Sequence, residues 1–390
     1  MATRLYMRNA VLTAKIETTE GTDASPTGTS NAILVSDMSI NPLEGSEVSL
    51  AYIRPYFGAS PSIRVQDYVT CSFTIDVAGA GTAGTAPAYG PLLRACGFAQ
   101  TLTASAVTGT ATAGAASSIT LAAGATDDMY VGATVSITSG TGNGQSRIIT
   151  DYVASTKVAT VHKAWDTNPA SGSAYSISAN AAYTPVSSSF ESLTLYYNVN
   201  GVRHKLTGAK GSVSFTMTAK ERPSMTFNFT GVYNAVADAS EDTPVYTAFQ
   251  IPAPINSANT IASVAGKLTD GSATGIQMQT WTLDMANAVT HRQLVGQESV
   301  ILTDRAPAGS LSIEATTMAF KNWFEYVRTS SNDPMFVENG TVAGNIVNIY
   351  CPKLQLTTPA YADSDGITML NCNTLALPNV ANDEVRIVVK

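Results

Sequence analysis

Nine consecutive residues constrain the fold more than any other stretch of this chain. Residues 69–77 read VTCSFTIDV, in which Val69, Cys71, Phe73, Ile75 and Val77 alternate without a break with Thr70, Ser72, Thr74 and Asp76. Strict period two means a β-strand with one apolar face for a core and one polar face left over. A Gly- and Ala-rich loop follows, and residues 88–98 (AYGPLLRACGF) then read as a short helix. The same order returns far downstream. Leu311, Ile313 and Ala315 alternate with Ser312, Glu314 and Thr316, and residues 320–328 (FKNWFEYVR) supply a second helix. A strand–loop–helix unit used twice is the pattern expected of a duplicated building block.

Around these two units the chain divides unevenly. Residues 1–31 read as an arm, because TTEGTDASPTGTSN after Lys15-Ile16-Glu17 is nearly all turn-forming or small polar residues. An ordered strand is expected from Ile33 to Val35, continued by residues 48–53, with Pro55 and Pro61 holding the following loop out of any central strand. From about Thr103 to Ser178 the composition turns to Thr, Ala, Ser and Gly with short strands at close spacing, as in a small β-sandwich or barrel inserted into a larger unit. Long alternating strands resume at residue 190, and Asn200-Gly201 stands where a tight hairpin turn belongs. Residues 235–259 have no clear period and read as a linker. The expected class is therefore mainly β. Two sandwich- or barrel-forming domains, residues 1–102 with 180–250 and residues 251–390, each carry a short flanking helix, and residues 103–179 form an inserted small β domain.

Chemical constellations are missing where an enzyme would need them. His162, His204 and His291 stand at no metal-pair spacing, and there is no HExxH. Gly208-Ala209-Lys210-Gly211-Ser212 lacks the spacing of a phosphate loop, and Asp363-Ser364-Asp365-Gly366 has Thr374 where a calcium loop wants Glu, so both read as bends. No G-x-S-x-G elbow occurs, and no carboxylate pair sits in an apolar setting. No catalytic, cofactor-binding or metal-binding residue is expected, and no cofactor. The four cysteines form no CxxC pair and are expected as free buried thiols. The opening residues contain no apolar signal segment, and no run is long enough to span a membrane. A net charge of −7 argues against a general nucleic-acid binder but not against a wall that DNA slides past. Charged residues make up only 13%, so Ser and Thr fill the surface, which suits a chain covered by copies of itself. The long strands show few Lys residues or inward charges to protect their edges, which points to pairing with neighbouring subunits.

Four stretches carry a family resemblance: AVLTAKIETTEGTDASPTGTSNAI near the N-terminus, the 69–77 strand with PLLRACGF after it, the long hairpins within residues 193–229, and GNIVNIYCPKLQLTTPAYADSDGITMLNCNTLAL. In that order they resemble the major tail tube proteins of long-tailed bacteriophages. The resemblance implies a β-sandwich with a flanking helix, whose long strands join across subunits into a barrel lined by polar side chains. It implies stacked rings that form a virion tail, assembled in the host cytoplasm, through which DNA passes without specific binding. It also implies contacts with tape-measure, tail-terminator and baseplate or tip proteins. The usual ring is a hexamer of single tube domains; a duplicated chain implies a homotrimer with pseudo-six-fold symmetry. On this reading Arg4, Leu5, Tyr6, Lys15 and Glu17 belong to an arm that bridges to an adjacent ring. Thr70, Ser72, Thr74, Asp76, Ser312, Glu314 and Thr316 belong to the lumen or solvent face of the sheet. The alternative is a phage receptor-binding protein of the adhesin type, recognising surface glycans through the insert beside Trp165 and Tyr152.

Overall fold

A computed structural model describes Tyr6 and residues 8–240, 242–272 and 274–390. The first half supplies β1 (Ala10–Ile16), α1 (Gly28–Asn31), β2 (Ala32–Ile33), β3 (Ser36–Glu44), β4 (Glu47–Ser49), β5 (Ser62–Arg64), β6 (Tyr68–Asp76), α2 (Gly90–Ala95) and β7 (Phe98–Thr103). Seven short strands follow: β8 (Val107–Thr110), β9 (Ala113–Ala115), β10 (Ser118–Thr120), β11 (Thr134–Ser139), β12 (Ser146–Val153), β13 (Val158–Val161) and β14 (Ala174–Ile177). The long strands then resume as β15 (Asn180–Pro185), β16 (Leu193–Val199), β17 (Val202–Thr218), β18 (Ser224–Tyr233) and β19 (Ala237–Asp238). The second half contains β20 (Thr260–Val264), β21 (Lys267–Leu268), β22 (Met278–Asp284), β23 (Val289–Leu294), β24 (Gln297–Leu302), β25 (Ala308–Glu314), α3 (Trp323–Arg328), β26 (Asn332–Asn339), β27 (Val347–Ser364), β28 (Ile367–Leu377) and β29 (Arg386–Val389). The protein is thus mainly β, as its alternation requires.

The two halves share one pairing scheme. β1 pairs with β16 and β2, as β20 pairs with β26 and β21. β16–β17–β18–β6–β3 is matched strand for strand by β26–β27–β28–β25–β22. β17 and β27 are long because each serves two sheets. Each carries a break in register, at Thr207/Lys210 in β17 and at Thr357/Ala360 in β27, and such bulges let a strand bend from one layer into the next. Two-residue turns close the hairpins. Asn200 and Gly201 between β16 and β17 have φ of 46° and 88°, and Asp365 and Gly366 between β27 and β28 have 55° and 82°. These positive values are what a right-twisted two-residue hairpin demands.

The halves are joined edge to edge. β17 pairs with β22, from Ser214 opposite Asp284 to Thr218 opposite Thr280. The result is one eight-stranded antiparallel array, β3–β6–β18–β17–β22–β25–β28–β27. Its apolar face, with Phe73, Phe215, Phe227, Trp281, Leu311 and Leu370, closes a single core beneath both halves. α2 packs into that core through Leu92 and Leu93 and ends at Gly97, whose φ of 82° makes the turn out of the helix. α3 starts on Asn322, whose side chain accepts the Glu325 N–H at 3.0 Å.

Residues 107–177 form a separate seven-stranded sheet, β8–β14–β11–β12–β13–β10–β9, with a core of its own around Ile119, Tyr152, Trp165 and Tyr175. It enters and leaves on β7 and β15, which pair with each other. A small apolar contact, Val131 and Ile148 against Phe336 and Tyr350, holds it to the second half. Polar contacts reinforce this: Tyr350 Oη donates to Thr150 O at 2.6 Å and Lys390 Nζ to Gly132 O at 2.8 Å.

Three sequence expectations need correction here. Residues 10–33 are no arm, because β1 is paired along its length with β16, and Leu12, Thr13 and Ala14 are all buried. Residues 48–53 do not continue the first strand. Val48 and Ser49 belong to β4, which turns back on β5 as a separate hairpin, and residues 50–61 between them have no regular structure. Edge protection is also present. β3, one outer strand, has two register breaks and contains Pro42, and β27, the other, has its bulge beside Pro359. Bulges and prolines are what keep an exposed edge from pairing at random.

Candidate assembly surfaces

The polar face of the eight-stranded array is continuous across the joint. One row runs Asp76, Ser224, Thr216, Thr282, Ser310, Asn373 and Thr357, each directly opposite the next. Neighbouring hydroxyls bond sideways: Thr74 Oγ1 and Thr226 Oγ1 are 3.0 Å apart, and Thr282 Oγ1 and Ser310 Oγ 2.8 Å. Thr70 donates to Glu44 Oε1 at 2.8 Å, Ser72 lies between Ser39 and Asn228, and Asp76 pairs with exposed Arg222 at 3.2 Å. Ser312 donates to Gln279 Oε1 at 3.2 Å, and Glu314 ends β25 opposite Met369. The two expected polar patches are therefore parts of one face. Thr316 is not on it. It lies beyond the end of β25 and accepts the Trp323 indole N–H at 2.9 Å, anchoring α3.

The expected arm residues separate into three groups. Arg4 and Leu5 lie outside the described residues, and Tyr6 is exposed. Lys15 is an exposed residue of β1, inside the folded body. Glu17 is buried, and its carboxylate accepts hydrogen bonds from Ser192 Oγ (2.6 Å), Thr194 Oγ1 (2.8 Å), Gly208 N (2.8 Å) and Gly21 N (2.8 Å). A carboxylate with four donors fixes the β1–β16–β17 corner and has nothing left for a second ring.

At each end of the array an edge is open. Among the described residues β3 pairs only with β6, and residues 357–364 of β27 pair only with β28. Two hairpins project from equivalent places, each between the strand at the array's joint or outer edge and the next. The β23–β24 hairpin folds back over β17 and β18 of the first half. Val300 is fully buried there and its carbonyl accepts from Lys210 Nζ at 2.9 Å, while the His291 ring stacks on Tyr68 at 5.1 Å. The β4–β5 hairpin has no such cover, and its loop exposes Tyr52, Ile53, Tyr56 and Phe57. Sequence reading missed the β4–β5 hairpin and the pairing of β23 with β24. The clue was four large apolar residues in a loop flanked by prolines, where turns normally carry polar side chains.

The chemistry is that of packing and pairing. Trp165 and Tyr152, expected beside a sugar site, are core residues of the insert and offer no stacking surface. His162 faces the second half, its Nδ1 accepting the Ile148 N–H at 2.9 Å and its ring edge-on to Phe336, and burial pushes its pKa down to about 4. All four cysteines are buried and unpaired; burial pushes the thiols of Cys71 and Cys351 up to about 12. Among the described residues no group of three or more His, Cys, Asp or Glu side chains is placed to hold a metal ion, and no helix is long and apolar enough to cross a membrane.

No curated protein matches the chain. One protein family does, the one described as "Phage tail tube protein", and the match runs over residues 7–374, through both halves and the insert between them. The chain belongs to the phage tail tube protein family.

Proposed function

We propose that this structural tail protein closes into rings by repeating, between copies, the joint it already makes within itself. The observation that carries the proposal is the β17–β22 pairing. β22 occupies in the second half the place of β3 in the first, and β27 the place of β17. The two strands left open, β3 and residues 357–364 of β27, are therefore the counterparts of a pair that is made in every chain. Joining β27 of one copy to β3 of the next satisfies both edges at once, and a closed ring leaves none unpaired.

On this reading residues 1–102 with 180–250 are one tube domain, residues 251–390 the second, and residues 103–179 an exterior decoration. Three copies then supply six equivalent domains, a homotrimer with pseudo-six-fold symmetry. The polar face, with Thr70, Ser72, Thr74, Asp76, Ser312 and Glu314, lines the channel. Its hydroxyls and carboxylates carry no cluster of Lys or Arg that would hold phosphate, so genomic DNA passes without being gripped. Rings stack into the virion's tail tube in the host cytoplasm, in contact with the other tail proteins. The inter-ring arm shortens to the residues before β1, among them Arg4, Leu5 and Tyr6. Negative-stain microscopy of the purified protein tests the assembly: rings or tubes with a central hole are expected, and compact particles without one refute it. Native mass measurement of an isolated ring tests the subunit number.

A further inference from the structure

The second half of the chain has an unoccupied counterpart of the place where the β23–β24 hairpin rests on the first. In the occupied place buried Lys210, opposite Thr230 on β18, donates to the carbonyl of Val300 in the hairpin at 2.9 Å and to Glu20 Oε1 at 2.7 Å. In the second half Gln355 of β27 stands opposite Leu375 of β28, in the position of Lys210 opposite Thr230, because β26 meets Leu354 and Cys351 across a bulge as β16 meets Ala209 and Leu206. Gln355 is half-buried, as is Lys353 two residues before it on the same strand face, and among the described residues neither side chain makes a hydrogen bond or ion pair.

The surroundings of Gln355 and Lys353 are apolar where the rest of the face is polar. Counting along β28 from Leu377, the next positions on the same face are Leu375, Asn373 and Asn371; the four counterparts on β18 are Val232, Thr230, Asn228 and Thr226. Leucine thus replaces Thr230 at the end of the face, with Leu377 in the place of Val232, and Leu375 is 39% exposed. A cleft of 610 Å³ opens beside these residues, with Leu375, Leu377, Pro378 and Phe190 in its walls. Exposed leucines around an unpartnered lysine are costly in a monomer and mark a covered surface.

We infer that the β4–β5 hairpin of the laterally adjacent copy lies over Lys353, Gln355, Leu375 and Leu377, so that each copy clasps its neighbour across the ring joint. This rests on the edge pairing proposed above. The hairpin leaves β3 as β23–β24 leaves β22, so once β3 is paired with β27 the hairpin is carried to this end of β27 and β28. It presents Val48, Ile63 and Val65 on its stem, all half-exposed, and Ile53 and Phe57 in its loop at 103% and 108% exposure. Its apolar surface meets the leucines, and a backbone carbonyl of the hairpin accepts from the Gln355 side-chain amide, in the place where Val300 accepts from Lys210. The β4–β5 loop is the longer of the two, twelve residues from Leu50 to Pro61 against Val295-Gly296, and the cleft beside Leu375 receives the excess.

The test uses the full-length protein carrying Leu375→Cys, since the four native cysteines are buried and give a low background. Maleimide labelling is compared between dispersed protein and assembled rings. Labelling of the introduced thiol is expected to slow at least tenfold on assembly. It should stay fast in rings of a second variant in which residues 50–61 are replaced by Asn-Gly, a change that reconnects Ser49 to its partner Ser62. A milder variant, Ile53→Ser with Phe57→Ser, gives the same comparison if the shortened loop impairs folding. Fast labelling in rings of the Leu375→Cys protein with its native loop overturns the inference. Equal protection in rings with the altered loop overturns it too, because something other than the hairpin then covers the site. If the protein with its native loop forms no rings at all, the edge pairing fails and the inference fails with it.

Discussion

The ring joint can be tested to a single residue pair. Across the in-chain joint Ser214 stands opposite Asp284. Gln355 corresponds to Lys210 and Thr357 to Ser212; past the bulge of β27, Ala360 opposite Asn371 corresponds to Ser214 opposite Thr226. Asp284 lies opposite Ala308 and Asn41 opposite Thr70, and Ala308 and Thr70 occupy equivalent positions beside Leu375 of β28 and Thr230 of β18, so Asn41 corresponds to Asp284. The proposed register therefore places Ala360 of one copy opposite Asn41 of the next. Directly opposed residues of antiparallel strands have Cα atoms about 4.5–5.5 Å apart, inside the ~4.4–6.8 Å range that a disulfide spans. The variant Ala360→Cys with Asn41→Cys should cross-link under mild oxidation in assembled rings and not in dispersed protein, ending as a covalent trimer on a non-reducing gel. Ala360→Cys with Ile40→Cys is the control, because one step along a strand turns the side chain to the opposite face. The template joint pairs five residues on each strand; at about 1 kcal/mol net per backbone hydrogen bond, such a joint contributes about 5 kcal/mol. That is enough to hold a ring at high protein concentration, and it leaves the dispersed state accessible as the reference. Cross-linking of the control at equal rate, or of neither variant in rings seen by microscopy, refutes the register.

Three further outcomes follow from the folded chain. Glu17→Ala should lower stability by about 3 kcal/mol or more in urea unfolding, since it strips a buried acceptor from two hydroxyls and two backbone N–H groups; a change within about 1 kcal/mol would show that water replaces the carboxylate. His162 should make the protein acid-sensitive. Its folded pKa of about 4 lies below the ~6.5 of an unfolded histidine, so the unfolded chain takes the proton first; the stability is whole above about pH 6.5 and is lost as pH falls towards 4, by up to about 3 kcal/mol. His162→Gln should remove that part of the pH dependence, measured as the difference between wild type and variant at about pH 7.5 and about pH 4.5, on either side of the titration. Gly201→Val should cost about 1–2 kcal/mol, because its φ of 88° crowds any β-branched side chain; an unchanged midpoint would mean that the β16–β17 turn relaxes freely.

Half-buried strands and tight turns were legible in the sequence because one side chain in two meets water. β6 and β25 stood out for that reason, as did Asn200-Gly201. β1 was hidden because it is covered on both faces: Leu12, Thr13 and Ala14 are buried in succession, so no period survives. Glu17 was misread for a related reason. A charged residue in a polar stretch looks solvated until its four donors, three of them from residues 192–208, are brought to it by the fold. Likewise Gly208 to Ser212 was legible as a bend, and it is the bulge of β17. That Lys210 there reaches a hairpin ninety positions away depends on the joint between halves, which no local pattern encodes.

The base of the insert has a practical corollary. Thr103 and Asn180 stand directly opposite each other where β7 meets β15, so a two-residue turn suffices to bridge them without the intervening chain. The second half already manages with three residues, Thr329 to Ser331, between its helix and β26. This position is therefore a natural graft point: a foreign domain whose termini lie side by side can be spliced there and carried at regular intervals along a filament, provided that Phe336 and Tyr350, now covered by Val131 and Ile148, are given polar replacements.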